Sequence, residues 1–226
     1  MRIIIATIKP WNIKNAKNFR AANRQHEVLL ITNQDELTHE NIIDFYPDYI
    51  FFSHWSWIIP REIHEKFKCI VFHMTDLPFG RGGSPLQNLI SRGINKTRIS
   101  AIKVDLGVDT GDIYLKKDLD LHGTAEEIFM RASDIIFREM IPEILKGIEP
   151  VKQGDRATEF KRLTEKDGQI LDDFDLNKIY DYIRMLDAEG YPKAFIGFGD
   201  YKLLFSRAIM KHDGIISDVK IVRSEQ

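Results

Sequence analysis

Cys69-Ile-Val-Phe-His73-Met-Thr-Asp-Leu-Pro-Phe-Gly-Arg-Gly-Gly-Ser-Pro85 passes from an apolar run to a histidine, then to a glycine-rich loop, then to a proline suited to the first turn of a helix. The run Cys69–Phe72 reads as a buried strand. Pro85–Arg92 reads as a helix. A strand whose loop leads into a helix is the repeating unit of an α/β sheet. His73 then stands at the strand's carboxyl end, where ligands bind in such sheets.

The same alternation extends toward the N-terminus. Residues 2–7 are apolar and largely β-branched, and Glu27–Thr32 and Tyr49–Phe52 repeat the pattern. Helices are expected over Asn15–Arg24 and Glu36–Phe45, the second ended by Pro47, and from Pro60 through Phe67. Toward the C-terminus, Arg98–Val104 and Ile113–Leu121 read as strands flanking Asp105-Leu-Gly-Val-Asp-Thr-Gly-Asp112. Thr124 and Glu127 form a capping box that starts a long helix through Ile144. Gly154–Gly168 reads as a polar, irregular excursion. Asp175 caps a helix to about Leu186, with Ile179, Ile183 and Leu186 on one face. Ala194–Phe198 and Tyr201–Phe205 then form a strand pair about Gly199-Asp200.

The fold class expected is α/β, a Rossmann-like, mostly parallel sheet with helices on both faces, followed by a short C-terminal helix and β-hairpin. Residues 1–150 would form the catalytic domain, and residues 151–226 a short extension packed on it.

A chain of 226 residues with 43% apolar content can bury a full core. Its net charge of -2 gives no sign of a nucleic-acid-binding surface, although a local basic patch stays open, and no nucleic-acid partner is expected. The single cysteine, Cys69, excludes an internal disulfide and a cysteine-based zinc site, and its apolar surroundings suit an inert thiol. No run is long and apolar enough to span a membrane, and the N-terminus resembles a strand rather than a signal peptide. A cytoplasmic protein with no membrane partner is expected.

His73 precedes a loop with three glycines before Ser84, which lets backbone amides approach a ligand. Asp105, Asp109 and Asp112, spaced across Gly107 and Gly111, read on their own as a charged turn. They lack the calcium-loop spacing, so no metal is expected. A carboxylate beside His73 would orient the ring and favour its charged form. His54, in Phe52-Ser-His-Trp-Ser-Trp-Ile-Ile-Pro60, suggests either a flat, partly apolar pocket or an aromatic core edge. Lys9, Trp11 and Asn12 follow the first strand and could reach the ligand crevice. No Walker loop or dinucleotide fingerprint is present.

Together the segments resemble the formyltransferase family that uses 10-formyltetrahydrofolate. Its pattern Asn-x-His-x-Ser-x-Leu-Pro, Arg-Gly-x-x-Pro, Asp-x-Gly-x-Asp-x-Gly is met here by His73, Thr75, Leu77-Pro78, Arg81-Gly82, Pro85, and Asp105, Gly107, Asp109, Gly111. The likeness covers roughly residues 48–121 and continues more weakly over Arg162–Phe195. One position departs: the family's asparagine falls at Val71, which has no side-chain donor. Losing an oxyanion donor typically costs about 2.7–4 kcal/mol. His54 is the expected substitute, with Asn88 a weaker rival.

The resemblance implies His73 and Asp109 as the catalytic pair, to which His54 is added as the substitute for the missing asparagine. It implies a folate site along Trp57, Ile58, Ile59, Pro60, Asp105, Leu106, Gly107 and Val108. The acceptor it suggests is a nucleotide-linked amino sugar, UDP- or dTDP-linked and typically a 4-amino-4,6-dideoxy sugar of surface glycan, held by Lys9, Trp11, Asn12, Phe79, Arg81 and Gly82. Too little chain after Phe205 for the tRNA enzymes' extra domain argues, with the charge, against nucleic acid. The alternatives are a catalytically degenerate folate- or partner-binding module, a formyltetrahydrofolate hydrolase, and a methionyl-tRNA formyltransferase. A homodimer is left open.

Overall fold

The computed structural model describes residues 1–224. Its strands are β1 (Arg2–Ala6), β2 (Glu27–Ile31), β3 (Tyr49–Phe52), β4 (Cys69–His73), β5 (Arg81–Gly82), β6 (Lys96–Lys103), β7 (Ile113–Asp120), β8 (Glu159–Phe160), β9 (Ala194–Phe198), β10 (Tyr201–Met210) and β11 (Ile215–Arg223). Its α-helices are α1 (Pro10–Ala22), α2 (His39–Phe45), α3 (Arg61–His64), α4 (Pro85–Ile90), α5 (Ala125–Ile135), α6 (Ile141–Ile144) and α7 (Leu176–Met185). The six-stranded sheet has the order β2-β1-β3-β4-β6-β7. The pairs β1–β2, β1–β3 and β3–β4 are parallel, and β4–β6 is antiparallel. The mostly parallel α/β class read from the apolar runs is the class observed.

The contacts divide the chain into two compact units, one of residues 1–81, 98–119 and 130–159, the other of residues 82–97, 120–129 and 160–226. In the first unit β1 and β3 are buried along nearly their whole length, as strands covered on both faces must be. Ile4, Ala6, Ile31, Ile42, Ile50, Phe52, Ile63 and Cys69 form one cluster, against which Val71 and Val104 pack. Burial pushes the Cys69 thiol up to about 12, which matches the inert thiol expected of that residue. A π-helical turn, Ile136–Met140, lies between α5 and α6. Pro142 accounts for it, since proline lacks the donor that a regular helical turn would need there.

In the second unit Asp175 accepts the Lys178 amide at 2.8 Å and caps α7 as expected. Arg184 is buried on α7, and its charge is met by Asp181 at 2.7 Å and by the carbonyl of Leu121 at 2.6 Å. The strand pair expected about Gly199 is present but continues. β10 runs to Met210 through an irregularity between Ser206 and Ile209, and β11 adds a third antiparallel strand. Leu203 pairs with Ile196 on one side and Ile221 on the other, giving an apolar row across that sheet.

Other expectations shift at their edges. α1 begins at Pro10 rather than near Asn15, because proline's fixed φ suits the first helical position. The stretch expected as one helix from Glu36 splits into a 3₁₀ turn, Gln34–Glu36, and α2, whose start is set by the Thr38 side chain accepting the Asn41 amide. The Thr124–Glu127 capping box forms as expected, with Glu127 accepting the Thr124 amide at 2.8 Å and Thr124 accepting that of Glu127 at 3.3 Å. No helix among the described residues is long and apolar enough to cross a membrane.

Candidate active site

The first unit brings His73 and Asp109 together. His73 ends β4 and is 7% exposed. Its Nδ1 lies 3.3 Å from Asp109 Oδ2, and its Nε2 lies 2.8 Å from the Gly80 carbonyl. Both ring nitrogens therefore face acceptors, and the ring makes both hydrogen bonds only when it carries both protons.

Each partner is held in turn. The Gly80 carbonyl also accepts from Thr75 Oγ1 at 3.3 Å, and the Gly80 amide donates to Thr158 Oγ1 at 2.8 Å. The Thr75 carbonyl accepts from Ser100 Oγ at 2.7 Å, which ties the start of the loop to β6. Asp105 Oδ1 accepts the Gly107 amide at 3.0 Å and the Thr110 hydroxyl at 2.6 Å, so the aspartate loop is braced from within. A Cβ on Gly111 would stand 1.7 Å from the Lys103 carbonyl oxygen, so only glycine lets the hairpin close there. Asp109 itself has φ +54, unusual for a residue with a side chain.

His54 also has a left-handed backbone, at φ +54. Its ring packs edge-on against Trp11 with centroids 5.8 Å apart. Burial, then the nearby positive charge of Lys9, lowers its pKa to about 4. Lys9 Nζ stands 5.8 Å from the Trp11 ring centroid. Trp11 and Asn12 are buried in the first turn of α1, and Asn12 Nδ2 donates to the Ser53 carbonyl at 3.4 Å. Phe79 is partly exposed. Arg81 directs Nε and Nη2 onto Gln153 Oε1 at 3.2 and 2.8 Å.

In the second unit, Gly82 has φ +103, and a Cβ there would approach the Phe160 carbonyl oxygen to 2.5 Å. Asn88 is committed: its amide donates to the carbonyls of Gly83, Ser84 and Lys161, and its Oδ1 accepts from Arg92. That sets it aside as a donor for the site. Val71 packs into the apolar cluster described above.

Sequence reasoning missed Gln153 and Thr158. Both lie in a polar stretch whose composition signals only a loop. Among the described residues no cluster of three or more His, Cys, Asp or Glu could hold a metal ion.

Residues 12–135 match the family model described as Formyl transferase, and residues 165–222 match that for the Methionyl-tRNA formyltransferase, C-terminal domain. A methionyl-tRNA formyltransferase from Rickettsia massiliae is 34% identical over 154 residues, 65% of this chain and 50% of that protein. The chain spans about half the length of the curated relatives it matches. A solved structure described as methionyl-tRNA formyltransferase from Clostridium thermocellum is 64% identical, covers 99% of this chain and 100% of that chain, and superposes with TM-score 0.98. HypX from Aquifex aeolicus in complex with tetrahydrofolic acid shares the fold, at 15% identity, TM-score 0.77, 99% of this chain and 46% of that one. So does a sugar N-formyltransferase from a Shewanella species, at 13% identity, TM-score 0.69, 100% of this chain and 98% of that chain.

The chain belongs to the formyl transferase family. Three expectations are overturned. The amino-sugar acceptor rests on a likeness that shows fold alone, whereas the relative matching end to end at 64% identity carries a methionyl-tRNA name. The exclusion of nucleic acid falls with it, as does the place of the chain in glycan synthesis. Two arguments misled. Net charge describes the mean field of a protein, not a local surface. Most of the chain after Phe205, judged too short, falls within residues 165–222, which match the model for the C-terminal domain of methionyl-tRNA formyltransferase, and it carries the end of β10 and all of β11.

Proposed function

We propose that this member of the formyl transferase family moves the formyl group of 10-formyltetrahydrofolate onto the amino group of methionyl-tRNA. The observation that carries this reading is the end-to-end 64% identity to a structure of that description. The match of residues 165–222 to the C-terminal domain model of the same enzyme supports it.

The chemistry follows from the first unit's geometry. The amine nitrogen attacks the formyl carbon, and the carbonyl oxygen gains negative charge. The His73 Nε2–H is the donor for that oxygen, and Asp109, 3.3 Å from Nδ1, holds the ring and balances its charge. Nε2 faces the Gly80 carbonyl at 2.8 Å, so the developing oxyanion competes with that carbonyl for one proton. A charged acceptor wins such a competition, because hydrogen bonds to ionised groups are about twice as strong as neutral ones. The Asp109 carboxylate takes the proton lost by the amine, and the folate nitrogen gains a proton as its bond to the formyl carbon breaks, so that tetrahydrofolate leaves with its N–H restored. Val71 offers no donor, and His54, neutral near pH 7 by its lowered pKa, can supply one N–H.

For the folate we propose the loops Trp57–Pro60 and Asp105–Val108. Ile58, Leu106 and Val108 are 94%, 75% and 72% exposed, an arrangement suited to a flat heterocycle. Ile59 and Val104, at the base of these loops, belong to one apolar cluster. Lys9, Trp11 and Phe79 are proposed for the acceptor side, where Lys9 can meet a phosphate. We assign the formyl-transfer chemistry and the reacting end of the acceptor to residues 1–150, and contact with the rest of the acceptor to the extension, residues 151–226.

The test is incubation of the purified chain with 10-formyltetrahydrofolate and methionyl-tRNA, followed by chromatography of the released amino acid. Formylmethionine is the expected product. Its absence, with tetrahydrofolate and free formate accumulating instead, would replace this reading by formyl hydrolysis.

A further inference from the structure

Gln153 links the two halves of the catalytic pair from outside both sequence motifs. Its Nε2 donates to the Asp109 carbonyl at 2.8 Å and to the Gly111 carbonyl at 2.7 Å. Its Oε1 accepts from Arg81 Nε and Nη2 at 3.2 and 2.8 Å. Arg81 follows Gly80, whose carbonyl faces His73 Nε2. The contacts thus close a ring: His73, Gly80, Arg81, Gln153, Asp109 and back to His73. Every polar atom of the Gln153 amide is used, and the guanidinium on one side and two carbonyls on the other fix which way the amide points. Asp109 adopts φ +54, a backbone conformation that persists in a residue with a side chain only where its surroundings enforce it.

We propose that Gln153 is a positioning residue: it holds the Asp109–Gly111 turn so that the Asp109 carboxylate meets His73, with Arg81 orienting its amide. Thr158, five residues on, holds the Gly80 amide at 2.8 Å, so one polar segment braces both sides of the imidazole. In its kinetic part this inference rests on the formyl-transfer reading above. In its structural part it does not.

Crystal structures and kinetics of wild type, Gln153→Ala, Asp109→Asn and the double variant test it. Gln153→Ala is expected to lose the Asp109–His73 contact. It should also lower kcat about ten- to hundredfold, the cost of misplacing a catalytic group by roughly 1 Å, with KM for the formyl donor little changed. In the Asp109→Asn background, adding Gln153→Ala should cost less than about twofold, because residues acting through one contact are non-additive. A Gln153→Ala structure that keeps the contact overturns the proposal, and so do losses that multiply across the two backgrounds. Should Gln153→Ala not fold, Gln153→Glu keeps the acceptor for Arg81 and removes both N–H donors. It is expected to show the same lost contact, and a retained contact there overturns the proposal equally. If wild type forms no formylmethionine, the acceptor reading fails, while the His73–Asp109 separation in the variant structures still decides the role of Gln153.

Discussion

Asp109 reaches His73 from the opposite end of the sheet. β6 runs antiparallel to β4, with Ser100 beside His73 and Lys103 beside Ile70, and the Val104 amide donates to the Cys69 carbonyl at 2.9 Å. The aspartate loop therefore leaves the sheet at the end where β4 begins. From Asp105 to Asp109 the chain is a bend and a turn, closed by the Gly107 amide on Asp105 Oδ1 and by the left-handed Asp109 at φ +54. The hairpin loop doubles back along β4, and the carboxylate at its turn arrives 3.3 Å from the imidazole.

His73→Ala and Asp109→Asn should each lower formyl transfer by about two to four orders of magnitude, as loss of an acid–base or oxyanion group does. Steady-state rates, with thermal unfolding as the folding control, check this. Near-native turnover by either folded variant removes the pair from the mechanism.

Gly111→Ala should reach the same pair through the backbone. The added Cβ meets the Lys103 carbonyl oxygen at 1.7 Å, so the hairpin must open where it supports Asp109. We expect turnover to drop at least about tenfold, since displacements near 1 Å carry such costs. A Gly111→Ala enzyme with wild-type rate would show that the turn has slack the geometry denies.

His54 makes stability depend on pH with a definite sign. Its pKa falls to about 4 in the folded protein from 6.5, burial being the larger cause and Lys9 the second. Between these values the unfolded chain binds the proton and the native chain does not, so stability falls as pH drops from 6.5 toward 4. At pH 4.5 the loss from this residue is about 2–3 kcal/mol relative to pH 7. Urea unfolding of wild type and His54→Gln at both pH values isolates it. The variant should lose less on acidification by that amount, and equal losses would remove the assignment.

Restoring the family's asparagine should not be benign. Val71 packs against an apolar cluster, and Val71→Asn sets an amide in its place. A buried polar group left unsatisfied costs about 1–3 kcal/mol. Denaturant titration should show a loss of that size, and an unchanged midpoint would mean that the new amide finds a partner. If it faces the formyl site, turnover in a Val71→Asn, His54→Ala double variant should recover part of what His54→Ala alone loses.

The sequence by itself determined the sheet and the pair. Unbroken apolar runs at residues 3–6, 28–31, 49–52 and 69–72 are what doubly covered parallel strands require, and within each block the spacing of His73, Arg81-Gly82 and Asp105–Gly111 matched a family pattern without gaps. Proline and capping residues placed helix starts, although α1 began five residues early because Trp11 and Asn12 were read as loop. β11 had its signal in the alternation from Asp218 to Ile221, yet the strand needs β10 to pair with, and β10 was read as ending at Phe205.

Only the tertiary structure decided who supports the pair. Gln153 and Thr158 act through contacts 42–44 and 78 residues away along the chain. A neutral amide or hydroxyl in a polar stretch carries no periodic or charge signal. The left-handed backbones of His54 and Asp109, and the burial that holds His54 neutral, likewise depend on neighbours that meet only once the sheet has formed. The acceptor, too, was beyond composition. Net charge averages over the whole surface, and recognition is settled by which groups a fold collects at one place.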